Sequence, residues 1–104
     1  MNNLCQLWLT CKDKSEAGAI AKELLNKRLI ACAKELNVSS NFIWKGNTEN
    51  STEVLLIMDS TEDLFSQVEE VVAKIHSYET FVLQAVPITY TSGRAKEWAE
   101  EVLR

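Results

Sequence analysis

Basic clusters, paired cysteines and long apolar runs are all missing from this sequence of 104 residues. It has 11 Lys and Arg against 15 Asp and Glu, with no run of basic residues, so it lacks the basic patch of nucleic-acid-binding proteins. We therefore expect no nucleic-acid partner. Its three cysteines, Cys5, Cys11 and Cys32, have no C-x-x-C spacing, which argues against a disulfide framework and a structural zinc site.

A membrane-spanning segment is also missing, because no stretch of about 18 apolar residues occurs. The opening residues MNNLCQLWLTCKDK lack the basic start and apolar core of a secretory signal. We therefore expect no membrane partner and a cytoplasmic location. The length is typical of one domain, which we place at residues 1–104.

Hydrophobic spacing in the first third of the chain predicts a strand followed by a helix. Residues 4–11 alternate, and one face is apolar throughout: Cys5, Leu7, Leu9 and Cys11. Asp13 and Glu16 are spaced as a helix start, in which the Glu side chain reaches back along the chain. Apolar residues at helical spacing then predict a helix that ends near Arg28.

The middle of the chain predicts a hairpin. Residues 32–45 indicate a long strand with a bend or bulge at 39–41. Residues 46–51, GNTENS, are typical of a turn. Residues 52–59, TEVLLIMD, predict a central strand that is buried on both faces.

The last part of the chain predicts helix, strand and helix. Acidic and hydroxyl residues at 60–63 indicate the start of the second helix, which ends at His76. Residues 80–90 predict the fourth strand, and Pro87, the one proline, places its end at a sheet edge or a bulge. Ser92 is then expected to cap a terminal helix.

The order β-α-β-β-α-β followed by a helix predicts an α+β, ferredoxin-like fold with one antiparallel sheet. Its two main helices cover one face of the sheet. Trp8, Phe42 and Trp44 add more apolar surface than that face can bury, and such surface usually marks an interface. Either further copies of the chain or the terminal helix folding back would cover the other face, and we favour an oligomer.

With this order in view, the chain resembles the CutA family of divalent-cation-tolerance proteins. The matching segments extend over nearly the whole chain and are LLNKRLIACAKEL, FIWKGN, TEVLLIMDSTEDLF, IHSYET and VPI. The resemblance implies a homotrimer that binds divalent cations such as copper, acts in the response to metal ions and has no firmly attached catalytic activity.

Two segments depart from the family pattern. The family usually has H-P-Y-E-x-P after the second helix, where this chain has Ser77 and Phe81 in place of the prolines. The third strand usually ends in Lys followed by Thr or Ser, where this chain has Met58 and Asp59. These departures leave the His, Tyr and Glu of the motif in place and remove rigidity and one positive charge.

Two kinds of site are predicted. His76 and Glu79 are candidate metal ligands, with Cys32 as a third, because imidazole and thiolate suit copper and a carboxylate can share the site. Trp44 and Tyr78 are candidates for a small-molecule cleft. The alternatives are that His76 only ends a helix, that the aromatic residues pack at a subunit interface, and that the cysteines pack as small apolar residues.

Two other functions are alternatives to metal binding. A trimeric small-molecule sensor resembling the PII signalling proteins would need Lys12, Lys45 or Lys74 to bind an anionic ligand. An acylphosphatase-like enzyme shares the element order, but the segment CKDKSE has no arginine for a phosphate-binding loop. We therefore expect that the protein is not an enzyme. Cys11 stays open as a ligand, since strand ends are more accessible.

Overall fold

Residues 3–103, which the computed structural model describes, form one antiparallel sheet of four strands with three α-helices. The strands are β1 (Leu4–Cys11), β2 (Cys32–Trp44), β3 (Asn47–Thr61) and β4 (Leu83–Pro87). The helices are α1 (Lys14–Asn26), α2 (Phe65–Ile75), which a 3-10 helix (Glu62–Leu64) precedes, and α3 (Gly93–Val102).

The strand order in the sheet is β2-β3-β1-β4. The two βα units place β1 and β3 at the centre and leave β2 and β4 as edges. The predicted α+β, ferredoxin-like order with an added C-terminal helix is confirmed. Pro87 ends the edge strand β4, where its missing N–H costs no ladder bond.

The hydrophobic core lies between the sheet and the two helices α1 and α2. The predicted apolar face of β1 is fully buried, as are Leu56 and Met58 of β3. Ile20 and Leu24 of α1 and Val68 and Val72 of α2 pack against these residues. Burial of each such side chain contributes roughly 1.5–3 kcal/mol, so this layer holds β1 and the ends of both helices in fixed positions.

The opposite face of the sheet is not covered by a helix of the described residues. Trp8 is 37% exposed and Leu36 is 47% exposed, although both lie on sheet strands. Ile57 lies directly across from Trp8 and is only partly buried. The prediction that β3 is buried on both faces is therefore wrong for a single subunit. The helix α3 does not cover these residues either.

The β2–β3 hairpin is longer and more regular than predicted. Its register is continuous from Cys32↔Asp59 to Trp44↔Asn47, so the bulge expected at 39–41 is absent. Residues 47–51 belong to β3 rather than to a loop. The turn consists of Lys45 and Gly46, which both have positive φ (51° and 83°), as a two-residue type I′ turn requires.

The second helix also starts later than predicted. Ser60 and Thr61 remain in β3, and the first helical turn is the 3-10 helix. Ser60 does not cap the helix, because its buried hydroxyl donates a hydrogen bond of 2.7 Å to the carbonyl of Leu29. The sequence motif of hydroxyl and acidic residues therefore marks the end of a strand as much as the start of a helix.

Candidate metal centre

His76 ends α2 and its ring lies against the end of β1. The residue has extended backbone angles (φ −76°, ψ 139°), and its N–H donates to the Val72 carbonyl at 2.8 Å. The ring atom Nδ1 accepts a hydrogen bond from the Tyr78 backbone N–H at 3.0 Å. Nε2 must then carry the ring proton, and it donates to the Thr10 carbonyl at 2.9 Å. Both ring nitrogens are therefore engaged.

Glu16, in the first turn of α1, binds the chain segment that follows His76. Asp13 caps the helix by accepting from the Glu16 N–H at 2.9 Å, as predicted. The Glu16 carboxylate accepts from the Lys12 N–H at 2.9 Å through Oε1 and from the Ser77 N–H at 2.7 Å through Oε2. The carboxylate thus connects the start of α1 to the segment that follows α2.

The pKa of Glu16 reflects these contacts. Burial on its own raises the pKa of a carboxyl group, but the hydrogen bonds from Lys12 and Ser77 and the nearby His76 ring outweigh it and lower the pKa of Glu16. The group is therefore a carboxylate at neutral pH. An ionised carboxylate accepts stronger hydrogen bonds than a neutral one, which explains the short contact to Ser77.

Cys11, the last residue of β1, completes a cluster with these two side chains. One ligand atom from each of Cys11, Glu16 and His76 lies within 4.8 Å of the others. Cys11 is fully buried, and burial together with surrounding carboxylates, Glu16 foremost among them, raises the pKa of its thiol to about 12. The thiol is therefore protonated unless a cation displaces the proton.

The donor set of the cluster fits a first-row divalent cation. Thiolate, imidazole and carboxylate together suit copper and zinc. Three such atoms around one ion lie about 3.5 Å apart, so the side chains would move together by a small distance. An ion would supply a positive charge that stabilises the Cys11 thiolate.

Tyr78 connects the same segment to β3. Its hydroxyl donates to Glu53 Oε2 at 2.6 Å, and Glu53 is 7% exposed. Burial is the largest cause that raises the pKa of Tyr78, and the hydrogen bond to the Glu53 carboxylate raises it further. The segment after α2 is thus held at two points, by its backbone at His76 and Glu16 and by the Tyr78 side chain at Glu53.

The other predicted ligands, Glu79 and Cys32, are not in this cluster. Glu79 is exposed on the segment after α2. Cys32 lies across from Asp59, which in turn lies across from Gln6; that is four residues, or about 13 Å, from Thr10 along β1. The Cys32 thiol instead accepts from Lys34 Nζ at 3.6 Å. One subunit brings only His76 of the three predicted ligands to the cluster.

The two cleft residues are also apart within one subunit. Trp44 lies at the hairpin tip, across from Asn47, whereas Tyr78 binds Glu53. Six residues of β3 separate these two positions, a distance of about 20 Å. A shared cleft of Trp44 and Tyr78 would therefore need two subunits.

The two positions at the expected strand lysine have different surroundings. Met58 is fully buried in the core, where an unpaired ammonium group would be costly. Asp59 lies on the helix-free face, 4.0 Å from Lys34 Nζ. The positive charge near this end of β3 is thus supplied by Lys34 of β2, paired with Asp59, and not by a lysine of β3.

Glu16 is the functional candidate that sequence reasoning missed. Its spacing from Asp13 identified it only as a capping residue. The element order held the additional signal, because β3 runs antiparallel to β1 and α2 folds back over the sheet, so that the C-terminal ends of α2 and β1 meet near the N-terminal end of α1. No local pattern shows that the second carboxylate oxygen of Glu16 accepts a hydrogen bond from Ser77, which is 61 positions away in the sequence.

A family model and a related protein of similar length both associate this chain with the same family. The family model of the CutA1 divalent ion tolerance protein matches residues 5–102. The divalent-cation tolerance protein CutA of Archaeoglobus fulgidus is 33% identical over 97 residues, which cover 93% of this chain and 95% of that protein. These relatives are named as tolerance proteins and not as enzymes.

Solved structures agree closely in fold. The structure of the periplasmic divalent cation tolerance protein CutA from Archaeoglobus fulgidus has a TM-score of 0.95 at 32% identity and covers 97% of this chain and 99% of its own. The divalent cation tolerance protein from Thermus thermophilus has a TM-score of 0.94 at 26% identity, with 97% and 99% covered.

The description of the Archaeoglobus protein as periplasmic contradicts the cytoplasmic location expected from the sequence. That expectation depended on the absence of a recognisable secretory signal, which is weak ground for a compartment. Among the helices formed by residues 3–103, none has the length and apolar character needed to cross a membrane.

Proposed function

Because this chain belongs to the CutA1 divalent ion tolerance protein family, we propose that it binds a divalent cation, copper in the first place, and acts in the response to metal ions. The observation that carries the proposal is the cluster of Cys11, Glu16 and His76, with ligand atoms within 4.8 Å of one another. Their donor types match the softer divalent cations rather than magnesium or calcium.

The proposal assigns a role to each side chain in the cluster. His76 supplies an imidazole nitrogen and Cys11 a thiolate, and Glu16 supplies a carboxylate oxygen. Because the Cys11 thiol has a raised pKa and must lose its proton to bind, cation affinity should rise with pH. Glu79 and Cys32 remain candidates for ligands between subunits, since one chain does not bring them to the cluster.

We also propose that the chain is a homotrimer. The support is the helix-free face of the sheet, which carries Trp8, Leu36 and Ile57 and would be costly to leave in water. Assembly would also allow Trp44 of one copy to approach Tyr78 of another, which a single subunit does not.

Calorimetric titration of Cu(II) tests the cation proposal. The wild-type protein should give a saturable heat, and His76→Ala and Cys11→Ala should each lose most of it. Each variant removes one ligand, and mutation of a residue that only supports a ligand already costs about 10- to 100-fold in metal affinity. Glu69→Gln, at an exposed position of α2, is the control, because Glu69 is not a candidate ligand, and it should bind nearly as well as the wild type. Equal, negligible heats in all four proteins would contradict the proposal.

A further inference from the structure

We propose that the backbone N–H groups of Ser77 and Tyr78 form a latch on the candidate ligands, and that cation binding opens the segment of residues 76–81. This inference rests on the proposed function, because it concerns the same cluster of Cys11, Glu16 and His76. It assigns the protein a conformational response to the cation.

The His76 ring cannot bind a cation and keep its bond to Tyr78. If the cation takes Nδ1, it uses the lone pair that accepts the Tyr78 N–H at 3.0 Å. If it takes Nε2, the ring proton moves to Nδ1, which then faces the Tyr78 N–H as a second donor. Binding at either nitrogen therefore breaks the contact with Tyr78.

Glu16 is held by the same segment. The Ser77 N–H reaches Oε2 at 2.7 Å, and a hydrogen bond to a carboxylate is stronger than one between neutral groups. The cluster must also contract for an ion to bind, because its atoms lie up to 4.8 Å apart and a shared ion holds them about 3.5 Å apart. Movement of Glu16 toward the ion weakens its bond to Ser77.

The opening of the segment would reach β3. Tyr78 is bound to the buried Glu53 at 2.6 Å, and Phe81 stacks on the His76 ring with a centroid distance of 5.3 Å. A shift of His76 and of the Tyr78 backbone would therefore change the contacts of Phe81, which packs against the core, and of Glu53 on β3. A ligand shifts a conformational equilibrium only through such differences between two states.

Ser77 offers a specific test of the latch, because proline has no N–H to donate. The residue before a proline must be extended, and His76 already has φ −76° and ψ 139°. Ser77→Pro thus removes the bond to Glu16 while keeping the preceding backbone angles. Ser77→Ala is the matched control, since it loses the same hydroxyl and keeps the N–H.

The experiment measures Cu(II) affinity by calorimetry and deuterium uptake of the 76–81 peptide by mass spectrometry. Ser77→Pro should bind Cu(II) roughly threefold to tenfold more tightly than Ser77→Ala, since a hydrogen bond to a charged group no longer competes. Saturating Cu(II) should raise the deuterium uptake of residues 76–81 in the wild type and leave that of α1 unchanged. Thermal melting shows whether both variants are folded.

The outcomes separate the latch from the function on which it rests. Wild-type binding with equal affinity of the two Ser77 variants, or with unchanged or lower uptake at 76–81, overturns the latch alone. Absence of binding in every protein overturns the proposed function and the latch with it. If Ser77→Pro does not fold, the uptake of the wild type still decides the question.

Discussion

At the scale of single residues, Glu16 connects more of the molecule than its position in a helix cap suggests. It accepts from Lys12 next to its own helix and from Ser77 beyond α2. A carboxylate that accepts two backbone hydrogen bonds is stabilised in its charged form. Folding stability should therefore depend on the ionisation of this one group.

The first prediction concerns Glu16→Gln. Because the folded-state pKa of Glu16 lies below its ordinary value of 4.5, its stabilising effect is present above that pH and is lost as the pH falls through the lowered pKa. Urea unfolding at pH 7 should show a loss of roughly 1–2 kcal/mol for the variant, and a smaller loss at pH 3. Protein concentration must be fixed, since assembly adds to stability.

The control for this prediction is Glu69→Gln on α2. Glu69 is exposed, so its replacement should change stability by less than about 0.5 kcal/mol at either pH. A loss in Glu16→Gln that is the same at pH 3 and pH 7 would show that packing, and not charge, is responsible.

Single residues also show how far sequence reasoning reached. His76 was predicted as the end of a helix and as a ligand, and its place at the C-cap of α2 is confirmed. Its ring bonds to Thr10, which is 66 positions away in the sequence, and to Tyr78, which is two positions away. Only Tyr78 lies in the sequence motif. Long-range contacts of this kind depend on how α2 packs on β1, which no local spacing specifies.

At the scale of elements, hydrophobic alternation predicted strands better than turn residues did. The bounds of β1 match the prediction, because a strand with one wholly apolar face has only one register that buries it. The predicted hairpin is confirmed, but its turn is shorter than the predicted residues 46–51, because GNTENS has the composition of a loop although β3 already begins at Asn47. Asn50 instead supports the strand pair, since its side chain donates to Ser39, Ser40 and Asn41.

The second prediction concerns the hairpin turn. Lys45 has φ 51°, a left-handed conformation that Asn adopts more easily than Lys. Lys45→Asn should therefore stabilise the protein by roughly 0.5–1 kcal/mol, measured by urea unfolding at fixed protein concentration. Lys45→Ala removes the same side chain and keeps the unfavourable φ, so it should show no gain. Equal stability of the two variants would contradict the role of the turn geometry.

At the scale of the whole molecule, the uncovered face of the sheet is the main feature that a single subunit leaves unexplained. Trp8, Leu36 and Ile57 form adjoining apolar positions on β1, β2 and β3. The hairpin tip adds Phe42, Ile43 and Trp44, which are 40%, 76% and 40% exposed. A molecule with principal extents of 44 × 26 × 21 Å carries this hairpin as an arm that can reach a neighbouring copy.

The last prediction follows from this face. Light scattering at micromolar concentration should give a mass of about three times 11.8 kDa, and Trp8→Glu should give the monomer mass, because a buried unpaired carboxylate at an interface is strongly unfavourable. Leu25→Glu is the matched control, since Leu25 is 40% exposed on α1, on the helix side of the sheet, and its variant should keep the mass of the wild type. A wild-type monomer would remove the proposed assembly and leave the Cys11, Glu16 and His76 cluster intact, because that cluster lies within one chain. A Trp8→Glu variant that keeps the wild-type mass would instead place the interface elsewhere, and the hairpin tip would then be the next surface to test.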